Sequence, residues 1–109
     1  MSEAAVKLTV LYPNAPGSSV DWEYYLGPHL ELARRLLTPF GLQRIEIERG
    51  LGGLGPGTAP PFHAIARLYF PSAEALESAM AQTAATLSAD QQKYYVGESI
   101  VQISEVVQV

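Results

Sequence analysis

The sequence has no cysteine, which excludes a disulfide frame, a thiolate nucleophile and any cysteine-bound metal. Charge is scarce too: 17% of its 109 residues are Asp, Glu, Lys or Arg, against about 25% in an ordinary domain. The net charge is −4 and no basic cluster occurs, so the Lys/Arg patch that neutralises nucleic-acid phosphates is missing. No apolar run approaches the roughly 18 residues of a membrane helix. Met1–Ala5 lacks the basic start and apolar core of a secretion signal. These absences predict a soluble cytoplasmic protein with neither nucleic acid nor membrane as partner. Two histidines on different elements, without paired carboxylates nearby, make no metal set. Gly50-Leu51-Gly52-Gly53-Leu54-Gly55-Pro56-Gly57 is no phosphate loop, because prolines and a strand follow it instead of a helix N-terminus. No serine lies in a nucleophile elbow, and no cofactor is expected.

What is present is apolar surface, at 48% of residues. The length suits a single domain with one core, spanning 1–109, and the low charge points to extra surface hidden in a homodimer. Val6-Lys7-Leu8-Thr9-Val10-Leu11-Tyr12 alternates as a strand does. Asp21 is a helix N-cap, and the helix it opens is expected to reach Phe40, with Gly41 as its stop. Gly27-Pro28 predicts a kink or break inside it, with freed carbonyls beside His29. Leu42–Leu51 reads as a second strand and Phe62–Phe70 as a third, joined by a long Gly/Pro connection. Pro71-Ser72 caps a second helix from Ala73 to about Leu87, striped by Leu76, Met80, Ala84 and Leu87. Asp90–Gly97 reads as a polar connection and Ser99–Val109 as a last strand. The order β-α-β-β-α-β predicts an α+β, ferredoxin-like sandwich with the first and third strands central.

Within the first helix, Tyr25 and His29 are four residues apart and share a face with or near Trp22, Leu36, Leu37 and Phe40. An imidazole among apolar groups needs hydrogen-bond partners. Either His29 is a general acid/base with Tyr25 donating to a substrate oxygen, or it is a structural histidine bonded to a carbonyl freed by Pro28. Asp21 is too far along a regular helix, roughly 12 Å, to orient it. His63, Arg67 and Tyr69 share one face of the third strand. They either bind substrate, Arg67 holding a carboxylate and Tyr69 polarising a carbonyl, or form a dimer-interface network with Arg67 paired to Glu46 or Glu105. The opposite face, with Ala64 and Ala66, can border a cavity under the helices. Tyr94-Tyr95 either closes the far end of that cavity or anchors the last loop.

Val6 to Pro13, the Asp21-x-x-Tyr24-Tyr25-x-x-x-His29 segment, Gly41-Leu42 and the closing Val101-Gln102-Ile103-Ser104-Glu105-Val106-Val107 closely resemble the EthD-like family. That family takes its name from a protein encoded with an ethyl tert-butyl ether-degrading monooxygenase system. The resemblance covers nearly the whole chain and implies a dimeric α+β barrel. Proteins sharing that barrel include cofactor-free quinone-forming monooxygenases, muconolactone isomerases, polyketide cyclases and stress-response proteins. Two functions are in view. One is a cofactor-independent oxidoreductase or isomerase acting on a hydrophobic, oxygen-bearing small molecule, with His29 and Tyr25 catalytic and Trp22, Tyr69, Arg67 and His63 binding substrate. The other is a non-catalytic ligand-binding or accessory protein of a degradation system.

Overall fold

In the computed structural model, which describes residues 5–108, the chain builds one four-stranded antiparallel sheet with helices against one face. Most of Met1–Ala5 and the terminal Val109, both read above, lie outside the described residues. The sheet's strands are β1 (Val6–Pro13), β3 (Arg44–Arg49), β4 (Phe62–Phe70) and β6 (Ile100–Glu105), in the order β3-β4-β1-β6. The first and third long strands are therefore central, as the element order predicts, and the arrangement is the ferredoxin-like split βαβ. Register makes the inner face apolar. Leu8 lies opposite Leu68 and Ile103, and Val10 opposite Ala66 and Val101, while Ile45 and Ile47 face Leu68 and Ala66. A slip of one residue would turn this whole set outward. β3 and β6 are shorter than the sequence pattern suggests. β3 ends where the glycines and prolines begin, and Leu51 and Leu54 of that connection are fully exposed.

Asp21 caps the first helical segment, its Oδ1 accepting from the Tyr24 amide at 3.1 Å. One α turn, α1 (Trp22–Tyr24), runs into a π turn over Tyr25–His29 and then into α2 (Leu30–Leu37), with a 3₁₀ turn over Thr38–Phe40. Gly41 ends it in the left-handed region, at φ 93°. The expected break at Gly27-Pro28 is thus a widening. A proline ring clashes with the carbonyl one α turn earlier, and the looser π turn moves that carbonyl aside without interrupting the helix.

The second long helix, α3 (Ala73–Gln91), starts at Ser72, whose Oγ accepts from the Ala75 amide at 3.1 Å. It runs about one turn beyond Leu87, so Asp90 belongs to the helix and not to a connection. Its buried residues are Leu76, Ala79, Thr83 and Asp90. Met80 and Leu87 are half-buried and Ala84 is exposed. A two-stranded clip that the sequence reading missed, β2 (Ser19–Val20) against β5 (Tyr95–Val96), ties the start of the first helical segment to the chain that follows α3. Two hydrogen bonds tighten it, from the Asp21 amide to the Tyr94 carbonyl (2.7 Å) and from the Tyr95 hydroxyl to the Pro13 carbonyl (2.7 Å). No helix among the described residues is long and apolar enough to cross a membrane.

Leu37, Phe70 and Leu76 are completely buried between the layers. Leu37→Ala is expected to lower unfolding stability by about 2–5 kcal/mol through lost burial and the cavity left behind, read from urea midpoints at unchanged slope.

Candidate active site

The helices do not cover the sheet tightly, and a cavity of about 180 Å³ remains between the layers. Leu8, Val10, Ile45, Ile47, Ala66 and Leu68 form its sheet wall; Ala33, Met80, Ala84 and Leu87 form its helix wall. The residues expected to stripe α3 as core are thus largely the lining of a slot. Ser88, Gln91, Ser99 and Val101 edge it toward the β6 side. Its polar end is made of Tyr12, Tyr25, His29 and Tyr94.

These four belong to an aromatic cluster. The Tyr25 and Tyr94 rings stack at 4.6 Å and 8°, and Tyr12 meets Tyr25, Tyr94 and Tyr95 edge-on at 5.4, 5.8 and 5.0 Å. Edge-to-face and offset stacking hold aromatic rings in defined orientations, so the hydroxyls are held too. A single run of hydrogen bonds crosses the cluster. Tyr12 and Tyr94 hydroxyls are 2.6 Å apart, the Tyr94 hydroxyl is 3.2 Å from His29 Nε2, and His29 Nδ1 is 2.9 Å from Asp90 Oδ2. The other carboxylate oxygen, Oδ1, accepts from the Tyr24 hydroxyl at 2.9 Å and lies 3.5 Å from the exposed Lys93 ammonium.

Asp90 sets the direction of the run. Burial alone would raise its pKa, but the hydrogen bonds from His29 and Tyr24 outweigh burial and hold it below the ordinary carboxylate value. An ionised carboxylate only accepts, so His29 Nδ1 carries a proton, and in the neutral imidazole Nε2 is left as an acceptor. The Tyr94 hydroxyl then donates to Nε2, and its oxygen accepts from Tyr12. Burial pushes the phenol pKa values of Tyr12, Tyr25 and Tyr94 upward, so all three are neutral hydroxyls. Tyr25 is 1% exposed, and its hydroxyl closes no hydrogen bond of normal geometry among the described residues, although the Tyr12 hydroxyl lies near enough to shift its pKa. Such a group carries an unmet demand, and here it stands at the polar end of a cavity.

The expected site residues divide into two places. Tyr25 and His29 come together at the cavity, their rings 5.8 Å apart. Trp22 packs behind Tyr25 at 5.8 Å, with the Arg49 guanidinium over its ring, and does not line the cavity. His63, Arg67 and Tyr69 lie on the opposite face of the sheet. There His63 Nε2 is 2.9 Å from the Ser18 hydroxyl, Tyr69 donates to Glu46 at 3.0 Å, and Arg67 pairs with Glu48, not with Glu46 or Glu105. Neither carbonyl freed at Pro28 nor Asp21 partners His29; the partners are the side chains of Asp90 and Tyr94. Asp90, Tyr12 and Tyr24 were not foreseen as site residues. The available signal for Asp90 was its phase, since it continues the Leu76–Thr83–Leu87 stripe at helical spacing. Of Tyr94-Tyr95, the first reaches the cavity and the second anchors the loop. No group of three or more His, Cys, Asp or Glu placed to hold a metal occurs among the described residues.

The fold is the ferredoxin-like α+β fold of the dimeric α+β barrel class, with a part-open apolar cavity between sheet and helices. The chain belongs to the EthD family: the EthD domain model matches residues 19–98. It is similar to an EthD-like protein from Ralstonia eutropha, 30% identical over 97% of this chain and 95% of that one, with a TM-score of 0.88. An ethyl tert-butyl ether degradation family protein from Bacillus halodurans is 25% identical over 94% and 99%, with a TM-score of 0.73. SnoaB of Streptomyces nogalater, a cofactor-independent oxygenase, shares the fold at 11% identity over 98% and 97%, with a TM-score of 0.64. A search of curated proteins found no match.

The Asp90 shift has a consequence for stability. Its native pKa lies below the unfolded value of about 3.9, so the contribution is fully present above that pH and is lost as pH falls through the native value. The stability gap between the native sequence and Asp90→Asn is expected to be largest near neutrality and to narrow in acid, read from urea unfolding across pH.

Proposed function

We propose that the protein is a small-molecule enzyme, without a tightly bound cofactor, that begins by removing a proton from a hydrophobic, oxygen-bearing substrate. The observation that carries this reading is the continuous run of hydrogen bonds from Tyr12 through Tyr94 and His29 to Asp90 at the end of an apolar cavity, which runs one way when the imidazole is neutral. A substrate hydroxyl seated beside Tyr12 meets an acceptor oxygen. Its O–H bond breaks as the proton passes to Tyr12, the Tyr12 proton passes to Tyr94, and the Tyr94 proton passes to His29 Nε2. The substrate is left as an anion, both tyrosines are neutral again, and the imidazolium is held by Asp90. The hydrogens between Nε2 and the substrate then point the other way, while Nδ1–H stays on Asp90, so Tyr12 donates to the new oxyanion. The Tyr25 hydroxyl supplies a second donor.

Such an anion reacts onward by oxygenation, the class to which SnoaB belongs, or is reprotonated elsewhere, which is isomerisation. The membership in the EthD family and the fold shared with a cofactor-independent oxygenase support the first. His29→Asn and Tyr94→Phe are each expected to lower turnover of a phenolic substrate panel by about 10²–10⁴-fold, as loss of a general base does. Product formation and oxygen uptake are the readouts, and unchanged turnover in His29→Asn would sink the proposal.

The same reading takes the protein as a two-fold dimer through the outer face of the sheet. Ile65, Leu11 and Ile100 lie in one cross-strand row there. Beside them Arg67 and Tyr69 already have carboxylate partners, as charges facing a partner sheet require. Ile65→Glu is expected to shift sedimentation from dimer to monomer.

A further inference from the structure

Among the described residues, no Lys, Arg, Asp or Glu side chain lines the cavity. A carboxylate-bearing ligand would enter without a cation and would face the ionised Asp90 behind His29. Both terms disfavour it, since burying an uncompensated charge is costly and a like charge nearby adds to the cost. Volume restricts the ligand further. A dry apolar cavity of about 150 Å³ holds benzene, so about 180 Å³ holds one ring with a short substituent and does not enclose a fused three-ring system. Ala33, Ala66 and Ala84 line both walls, and their small side chains leave room for the ring between sheet and helices. At its polar end the site offers the buried Tyr25 hydroxyl, which closes no hydrogen bond of normal geometry among the described residues, beside the hydroxyl of Tyr12.

We infer that the site takes a neutral, single-ring phenol with a short apolar substituent, its hydroxyl between Tyr12 and Tyr25 and its ring in the slot. The hydroxyl rests on the proton-transfer reading above; the size and neutrality rest on the cavity alone. This ligand places one oxygen against one donor and one acceptor and leaves no other polar atom to satisfy.

The test is calorimetric titration at neutral pH with para-propylphenol, propylbenzene, para-propylbenzoate and anthrone, with the His29 ring signals followed by NMR. Para-propylphenol is expected to bind tightest and to move the His29 signals. Propylbenzene is expected to bind about tenfold more weakly, the worth of one good hydrogen bond, and Tyr25→Phe to narrow that gap. Para-propylbenzoate and anthrone are expected not to bind in the cavity. Ala84→Phe, an exposed helix position that reaches the slot, is expected to weaken phenol binding at least about tenfold, as filling a pocket of this size does. Benzoate or anthrone binding as tightly as the phenol, or phenol binding untouched by Ala84→Phe, overturns the inference. So does a panel in which nothing binds. Phenol binding of the expected pattern without turnover of any phenol upholds the ligand class and removes the proton-transfer function, so the two failures are separable.

Discussion

Asp90 is a carboxylate 7% exposed near the end of a nineteen-residue helix, and a buried carboxylate persists only where donors meet both of its oxygens. Here they come from three parts of the chain. His29 reaches one oxygen from the π turn, Tyr24 reaches the other from the turn before it, and Lys93 approaches from the loop after α3. The departures from regular structure meet at this one group. The π turn absorbs Pro28 while keeping both Tyr25 and His29 on the buried side. The extra turn of α3 carries Asp90 inward. The β2–β5 clip holds Tyr94 over the imidazole. Without the carboxylate, nothing would fix which nitrogen of His29 bears the proton, and the hydrogen bonds beyond it would have no set direction.

The tyrosines extend that order into the cavity. Their rings are locked by stacking and edge contacts, and burial keeps their phenols protonated. They therefore cannot hold the charge themselves; they can only pass a proton through. This is why a base lying behind Tyr94 can still act on a molecule in the slot. It also corrects the simplest picture of His29, in which the imidazole meets substrate directly. The Tyr94 hydroxyl occupies Nε2, so in the proposed reaction the histidine works through its neighbours.

Much of the scaffold was legible in the residues. Alternation in Val6–Tyr12 and Phe62–Phe70, the caps Asp21 and Ser72 and the stop at Gly41 are local signals with local causes, and the structure places them where those causes act. The Tyr25–His29 pair was legible because helical spacing is local too. Asp90 was not. Asp90 to Gly97 reads as a polar connection, and only the distant imidazole makes a carboxylate there worth burying. The position of His63, Arg67 and Tyr69 was ambiguous for another reason. Period-two spacing says that they share a face, but both faces of β1 and β4 carry apolar residues, so spacing cannot say which face the helices cover.

The split between those two faces also explains why the candidate site is built from hydroxyls. The outer face carries Arg44, Glu46, Glu48 and Arg67 and pairs them there, while the inner face keeps the His29–Asp90 pair at its margin and no Lys, Arg, Asp or Glu among the described residues lines the slot. When His29 takes a proton, the imidazolium and Asp90 together are neutral, so the substrate anion becomes the net charge inside. An arginine placed to meet it would also neutralise Asp90's influence on His29 and would favour ligands that arrive already charged. Neutral donors do neither. In the proposed reaction Tyr25 already meets the neutral ligand, while Tyr12 turns toward its oxygen only once the proton has moved, so the Tyr12 stabilisation appears where charge develops and not before.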